Sequence, residues 1–244
     1  MLTASDLYSQ GFFYIQSLSS MVPPLVLNPQ PGEKILDLTA APGSKTTQIA
    51  MLMKNTGEIV ANDKSTIRNY KLTANLKIQG VKNTKVENLP GQILWKKYPE
   101  CFDKTLVDVP CSMEGRINLA DEKSYEDWST NKIHYLEEVQ KFLLRSAISA
   151  TKPGGEIVYS TCTLAPEENE GVIDWLLIKE KGKVIVEDID LTFSDKSSSL
   201  TRWNNKIFSK EIKKTLRIFP SFLMEGFYIA KLKKLSSTIP SVML

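Results

Sequence analysis

The sequence predicts an α/β fold with a mostly parallel sheet that an antiparallel strand pair closes near its carboxyl end. Three observations predict it. From Lys34 onward, short apolar runs alternate with longer stretches of helical character. A long amphipathic segment ends in a Pro-Gly-Gly turn, and another apolar run follows it. Late in the chain, two apolar runs are joined by a short loop with no helix between them, as antiparallel neighbours are.

Taken in order, residues 1–30 carry Pro23, Pro24 and Pro29, with Pro31 just beyond, and read as a lead-in segment. A single domain is expected over 31–235, and 236–244 reads as a tail. Lys34 to Ala40 is the first strand, Ser44 to Lys54 the helix after it, and Glu58 to Lys64 the second strand, followed by a helix through Lys77. Thr84 to Asn88 and Phe102 to Pro110 are the next strands. The amphipathic helix runs from about Asn131 to Thr151, where Pro153 and two glycines stop it and turn the chain into a fifth strand, Gly155 to Cys162. Pro166, followed by Glu167, Glu168 and Glu170, is a helix start, since proline suits the first turn and negative charge suits the positive end of the dipole. Thr215 to Ser221 and Gly226 to Lys234 form the antiparallel pair. The polar stretch from Ser194 to Ser209 fits no element.

The 244 residues, 42 % of them apolar, suffice for one core. A formal charge of +3, from 31 basic and 28 acidic side chains, permits a nucleic-acid partner without demanding one. Three cysteines and an amino terminus without signal-peptide features indicate a cytoplasmic protein with reduced thiols. No run approaches the roughly 20 apolar residues that a membrane span needs.

In an open parallel sheet, ligands bind beyond the carboxyl ends of the strands. Four places there stand out. In Asp37 to Thr47 (DLTAAPGSKTT), small residues and Gly43 let the backbone approach a ligand, and the next helix presents free N–H groups. This suits a cofactor carrying a carboxylate, such as the methionine end of S-adenosylmethionine (SAM), and an ordinary tight turn is the bland alternative. Asp63 ends the second strand, where a carboxylate can accept both hydroxyls of a ribose or simply face solvent. Cys111 in DVPCS and Cys162 in STCTL end the fourth and fifth strands, whose axes lie about 4.8 Å apart if adjacent, so the two thiols converge. A disulfide and a pair of structural cysteines are the alternatives; Cys101 reads as packing. Two thiols in one cleft suit methylation at carbon 5 of a pyrimidine. That carbon becomes nucleophilic once a thiolate adds to carbon 6, and a base must then remove the carbon-5 proton.

Taken in order, GFFYIQSLSSMVP, DLTAAPGSKTT, AND, DVPCSMEGR, KPGGEIVYSTCTLAPEENE and EGFYIAKLKK resemble the RNA cytosine-C5 methyltransferases of the RsmB/Nop2/Sun family, from about Gly11 to Lys234. The resemblance implies a class I SAM-dependent methyltransferase fold, Rossmann-like, with SAM as cofactor and no metal. Its SAM contacts would be the loop Thr39, Ala40, Ala41, Pro42, Gly43, Ser44 and Lys45, together with Asp63 and Asp108. It implies Cys162 as nucleophile, Cys111 as the residue assisting product release, and Asp108 and Lys45 near both the methionine end of SAM and the base. DNA cytosine methyltransferases use the Pro-Cys cysteine as nucleophile, so Cys162 marks the RNA branch, with rRNA or tRNA as partner and a single-stranded or loop cytosine as target.

Three departures accompany the resemblance. Pro90 stands where relatives carry an aspartate that reaches the adenine, leaving Asn88 or backbone for that contact. Met113 replaces a glycine, which narrows the space beside the base. RNA-binding extensions are missing, so target choice rests on the lead-in, on lysines such as Lys96 and Lys97, or on another protein. The rival reading is a noncatalytic RNA-binding or assembly factor that keeps the fold. Among other polar residues, His134 reads as structural or solvated, and Lys213, Lys214 and Arg217 as phosphate contacts or a solvated face.

Overall fold

The computed structural model describes residues 4–191 and 195–239. The lead-in carries a short helix, α1 (Asp6–Ser9), and a longer one, α2 (Leu18–Leu27), which Ser17 caps by accepting the Ser20 N–H. Pro23 and Pro24 sit inside α2. The helix persists because Val22, Val26 and Leu27 bury against Ile35, Ile49, Leu106, Val158 and Ile229, so packing outweighs the donors that two prolines remove.

The sheet is then laid down as β1 (Lys34–Asp37), α3 (Ser44–Leu52), β2 (Glu58–Asn62), α4 (Thr66–Ile78), β3 (Thr84–Glu87), β4 (Phe102–Asp108), α5 (Thr130–Ala150) and β5 (Thr151–Thr161). Next come α6 (Glu170–Lys179), β6 (Val184–Glu187), β7 (Lys196–Ser198), the small hairpin β8 (Arg202–Trp203) and β9 (Lys206–Ile207), β10 (Leu216–Ile218) and β11 (Phe227–Lys234). The order is β3-β2-β1-β4-β5-β11-β10-β7, with β6 also on β11. The first five strands are parallel, while β11 runs antiparallel to β5, β6 and β10. The chain is therefore an α/β protein with the expected mostly parallel sheet and antiparallel carboxyl-terminal pair. Leu36, Val107, Ile157, Tyr159 and Tyr228 build the core on one face, and α2 and α3 cover the other.

Three expectations shift. The Lys152–Gly155 segment is part of β5: Thr151 stands opposite Phe102 and Glu156 opposite Lys104, so residues 152–155 bulge out, with Gly154 at φ +81°. α5 stops at Ala150 because the strand begins there, not because Pro153 breaks it. α6 starts at Glu170, four residues after Pro166, since Glu168 and Asn169 are buried and hydrogen-bonded to the loops ahead of them. In the polar stretch, Ser194 lies outside the described residues, and the rest contains the short strands β7, β8 and β9. Residues 240–244 of the tail also lie outside, whereas Thr238 and Ile239 are buried. Among the described residues, no helix is long and apolar enough to cross a membrane.

Candidate active site

Two recesses open at the carboxyl ends of the strands. The first, a cavity of about 210 Å³, lies beyond β1, β2 and β4 and is walled by Thr39, Ala41, Asp63, Arg68, Gly91 and Asp108, among others. The second, about 250 Å³, is walled by Ser20, Lys45, Asp108, Arg116, Cys162 and Phe227. Asp108 and Val109 belong to both walls, so the recesses are neighbours.

The first loop is shaped by local constraints. Gly43 adopts φ +110° at the head of α3, and a Cβ there would come within 2.9 Å of the Leu72 side chain. Ala40 N–H bonds Asn62 O at 2.7 Å, tying the loop to β2, and the Ala41–Pro42 peptide is cis. Thr39 Oγ1 donates to Asp108 O at 2.9 Å, linking the loop to the end of β4. Beneath it, burial pushes the Asp37 carboxyl up to about 7, although Thr46 Oγ1 donates to it at 2.7 Å.

Lys45 is turned into the second recess. Its Nζ lies 2.6 Å from Asp108 Oδ2, donates to Ser20 Oγ at 2.8 Å, and sits 5.6 Å from the centre of the Phe227 ring. The other Asp108 oxygen accepts the Ser160 hydroxyl at 2.7 Å. Asp63, on the floor of the first cavity, pairs with Arg68 at 3.1 Å and accepts the Ser65 N–H at 2.9 Å. Arg68 also donates to Ala41 O, spanning from one side of the cavity to the other.

The thiols that strand order brings together meet: Cys111 Sγ and Cys162 Sγ are 3.2 Å apart, and both are free. Cys111 is buried and Cys162 half-buried, on the recess wall. The hydrogen bond to Cys162 and burial push the Cys111 thiol well above the usual cysteine range. A buried network holds the Cys111 turn. Glu168 accepts the Ser112 N–H at 3.1 Å and the Gln140 amide at 2.6 Å; Gln140 also donates to Pro110 O at 2.9 Å, and Tyr159 donates to Glu168 O at 2.6 Å. Burial raises the Glu168 carboxyl above the usual range. The Cys162 turn is fastened to the same network, because Ser112 and Thr163 hydroxyls meet at 2.7 Å and Asn169 donates to Thr163 O.

Of the residues singled out in the sequence, Thr39, Ala41, Asp63 and Asp108 line the cavity, and Lys45 and Cys162 the adjoining recess. Ala40, Pro42 and Gly43 shape the loop from behind. Ser44 lies elsewhere, in a groove between the lead-in and α3. Asn88 is outside the cavity wall, its amide donating to Asp63 O and its oxygen accepting from Thr66. Gly91 and Gln92 form the wall near Pro90 instead, and a Cβ on Gly91 would approach Leu143 to 2.7 Å. Met113 takes a left-handed φ of +60°, and its half-exposed side chain is no part of either wall, so the expected narrowing does not arise. Arg217 is buried against Glu170, at 2.6 Å and 2.7 Å, and is not a phosphate contact; Lys214 pairs with Glu211. Cys101 packs against the core, and His134 is exposed beside Glu137. Arg68, Gln140 and Ser20 were not singled out as site residues, and the run Pro166 to Glu170, which holds Glu168, read chiefly as a helix start that in the family helps shape the pocket beneath the nucleophile. Their roles depend on contacts between distant segments, and only the acidic run containing Glu168 carried a signal.

The profile of the family described as 16S rRNA methyltransferase RsmB/F matches residues 24–233. A "tRNA (cytosine(49)-C(5))-methyltransferase" of Pyrococcus abyssi is 44 % identical over 228 residues, which are 93 % of this chain and 72 % of that one. A "Ribosomal RNA small subunit methyltransferase F" of Vibrio parahaemolyticus is 40 % identical over 230 residues, 93 % of this chain but only 46 % of the relative, so this chain spans about half of its length. Among solved structures, NSun6 from Pyrococcus horikoshii with SFG superposes with a TM-score of 0.84 at 35 % identity, covering 97 % of this chain and 57 % of that one.

Proposed function

Since the chain belongs to the 16S rRNA methyltransferase RsmB/F family, we propose that it transfers a methyl group from SAM to carbon 5 of a cytosine in rRNA or tRNA, by way of a bond between Cys162 and carbon 6. The observation that carries this reading is the pair of free sulfurs 3.2 Å apart, of which Cys162 lines a recess that shares Asp108 with the cavity beside it while Cys111 is buried behind it.

The residues present fit SAM. Asp63 lines the cavity, and its Oδ2 accepts no hydrogen bond but pairs with the Arg68 guanidinium at 3.1 Å, a partner that a ribose hydroxyl would displace. Thr39, Ala41, Gly91 and Asp108 would complete the holding surface. When bound, SAM supplies an electrophilic methyl group on its sulfonium.

The chain's own residues account for the remaining chemistry. Cys162, the more accessible sulfur, adds to carbon 6 after losing its proton, which leaves carbon 5 electron-rich. Cys111, whose thiol the hydrogen bond to Cys162 and burial keep protonated at rest, lies against the neighbouring sulfur. Lys45 and Asp108, locked at 2.6 Å, orient the base edge and keep a fixed charge pair beside it. Release requires the carbon-5 proton to leave and the electrons of the Cys162–carbon 6 bond to return to sulfur. Cys111 stands where it can take that proton, provided that its own proton has first passed to solvent so that it acts as the thiolate.

The test is the Cys111→Ala variant mixed with SAM and unmodified tRNA or rRNA on a denaturing gel. A slow-migrating protein–RNA adduct is expected, and it disappears in the double variant that also carries Cys162→Ala. No adduct from a variant that still binds SAM overturns the cysteine roles; no SAM binding returns the chain to the noncatalytic RNA-binding reading.

A further inference from the structure

The loop joining β10 to β11 presents apolar side chains to solvent beside the cysteine recess. Phe222 is 99 % exposed, Leu223 66 % and Phe219 50 %. The turn is nevertheless built. Ser221 N–H donates to Met224 O at 2.8 Å, its hydroxyl accepts the Leu223 and Met224 N–H groups at 3.2 and 3.1 Å, and it donates to Asp195 at 3.0 Å. A fixed turn therefore holds an aromatic ring in water, where it gains nothing from burial.

The same loop is docked on the cysteine loops. Gly226 N–H donates to Gly115 O at 2.8 Å, and Gly115 N–H donates to Cys162 O at 3.0 Å. Glu225 lines the recess with Cys162 and pairs at 3.3 Å with Arg116, whose side chain is half-exposed. Only three residues separate Phe222 from Gly226, a reach of at most about 14 Å. An aromatic surface thus lies within about 14 Å of the junction that also carries Arg116, a cation on the recess wall.

We propose that this loop is a stacking platform for an RNA base next to the target cytosine, with Phe222 as its principal contact; the proposal rests on the reading of the chain as an RNA methyltransferase. A base drawn out of its stack exposes the faces of its neighbours, and an exposed aromatic ring covers such a face whatever the sequence. Arg116, released from its pairing with Glu225, adds a positive charge suited to the intervening phosphate. A protein partner fits less well, since three side chains offer at most about 600 Å², below the roughly 800 Å² each side of a standard protein interface.

The experiment compares the wild type with Phe222→Ala, Phe222→Leu and Phe222→Trp, using tritiated SAM with an unmodified tRNA transcript and a 16S rRNA fragment. Phe222→Ala is expected to raise KM for RNA roughly tenfold, with SAM affinity unchanged. Phe222→Trp stays within twofold of the wild type, and Phe222→Leu behaves like the alanine variant. A KM for RNA that Phe222→Ala leaves within twofold overturns the platform, whatever happens to kcat. So does wild-type KM in Phe222→Leu, which would make the contact merely apolar, or a change of oligomeric state in sedimentation. A wild type that methylates no RNA sinks the functional reading first and the platform with it. Activity indifferent to Phe222 sinks the platform alone.

Discussion

Asp37 ends β1 beneath the first loop, and burial sets its carboxyl at about 7, well above its ordinary 3.8. A carboxyl raised on folding stabilises the protein fully below the unfolded value, and that contribution is lost as pH rises from about 3.8 through about 7. Asp37→Asn removes the titration and keeps an acceptor for Thr46. The stability of the wild type relative to Asp37→Asn is therefore expected to fall between pH 5 and 8, by a few kcal/mol at roughly 1.4 kcal/mol per pH unit. Urea midpoints that keep a constant difference across this range would contradict it. Single residues were legible where a strand end fixes them. Asp63, Asp108, Cys111 and Cys162 each follow a short apolar run, and a topological rule brings such ends to one edge. Glu170 and Arg217 were not legible as a pair, because they join segments 47 residues apart; Glu170 read as part of a helix start and Arg217 as a phosphate contact or a solvated face.

At the level of elements, one tight junction joins the loop after Cys111 to the loop before β11. A Cβ on Gly115 would lie 2.1 Å from Gly226 O, so the two backbones can touch only if this position is bare. Gly115→Ala is expected to cost about 1–3 kcal/mol in urea denaturation and to cut methyl transfer, while SAM affinity holds because the first cavity lies apart from this junction. A variant with wild-type stability and rate would show that the loops can separate freely. Elements were well marked in the sequence where periodicity and composition agreed, as in α5 and β4. They were misread where proline or glycine served packing. Pro23 and Pro24 lie within a helix that the core holds in place, and Pro153 and Gly154 occupy a bulge, not a chain reversal. Local propensity describes what an isolated segment prefers, and these segments follow their neighbours instead.

Over the whole molecule, a ligand that binds only the folded chain must raise its stability. At SAM concentrations about one hundred times its Kd, the gain is about 2.7 kcal/mol, which for a chain of this size is a rise in Tm of roughly 5–10 °C. Calorimetry with and without SAM measures it, and Asp63→Ala is expected to abolish most of the shift; an unaltered shift would remove Asp63 from the cofactor site. Strand order was readable because parallel crossovers follow few rules. β11 shows where such rules meet assembly in time. Among the described strands it is the final one in sequence, yet it lies inside the sheet, paired with β5 on one edge and with β10 and β6 on the other. A chain interrupted before residue 225 would possess every residue of both recesses except Glu225 and Phe227. It would still present β5, the strand leading into Cys162, as a bare edge open to aggregation. During synthesis, the Cys162 sulfur is therefore set in its final surroundings only after the end of the sheet has emerged.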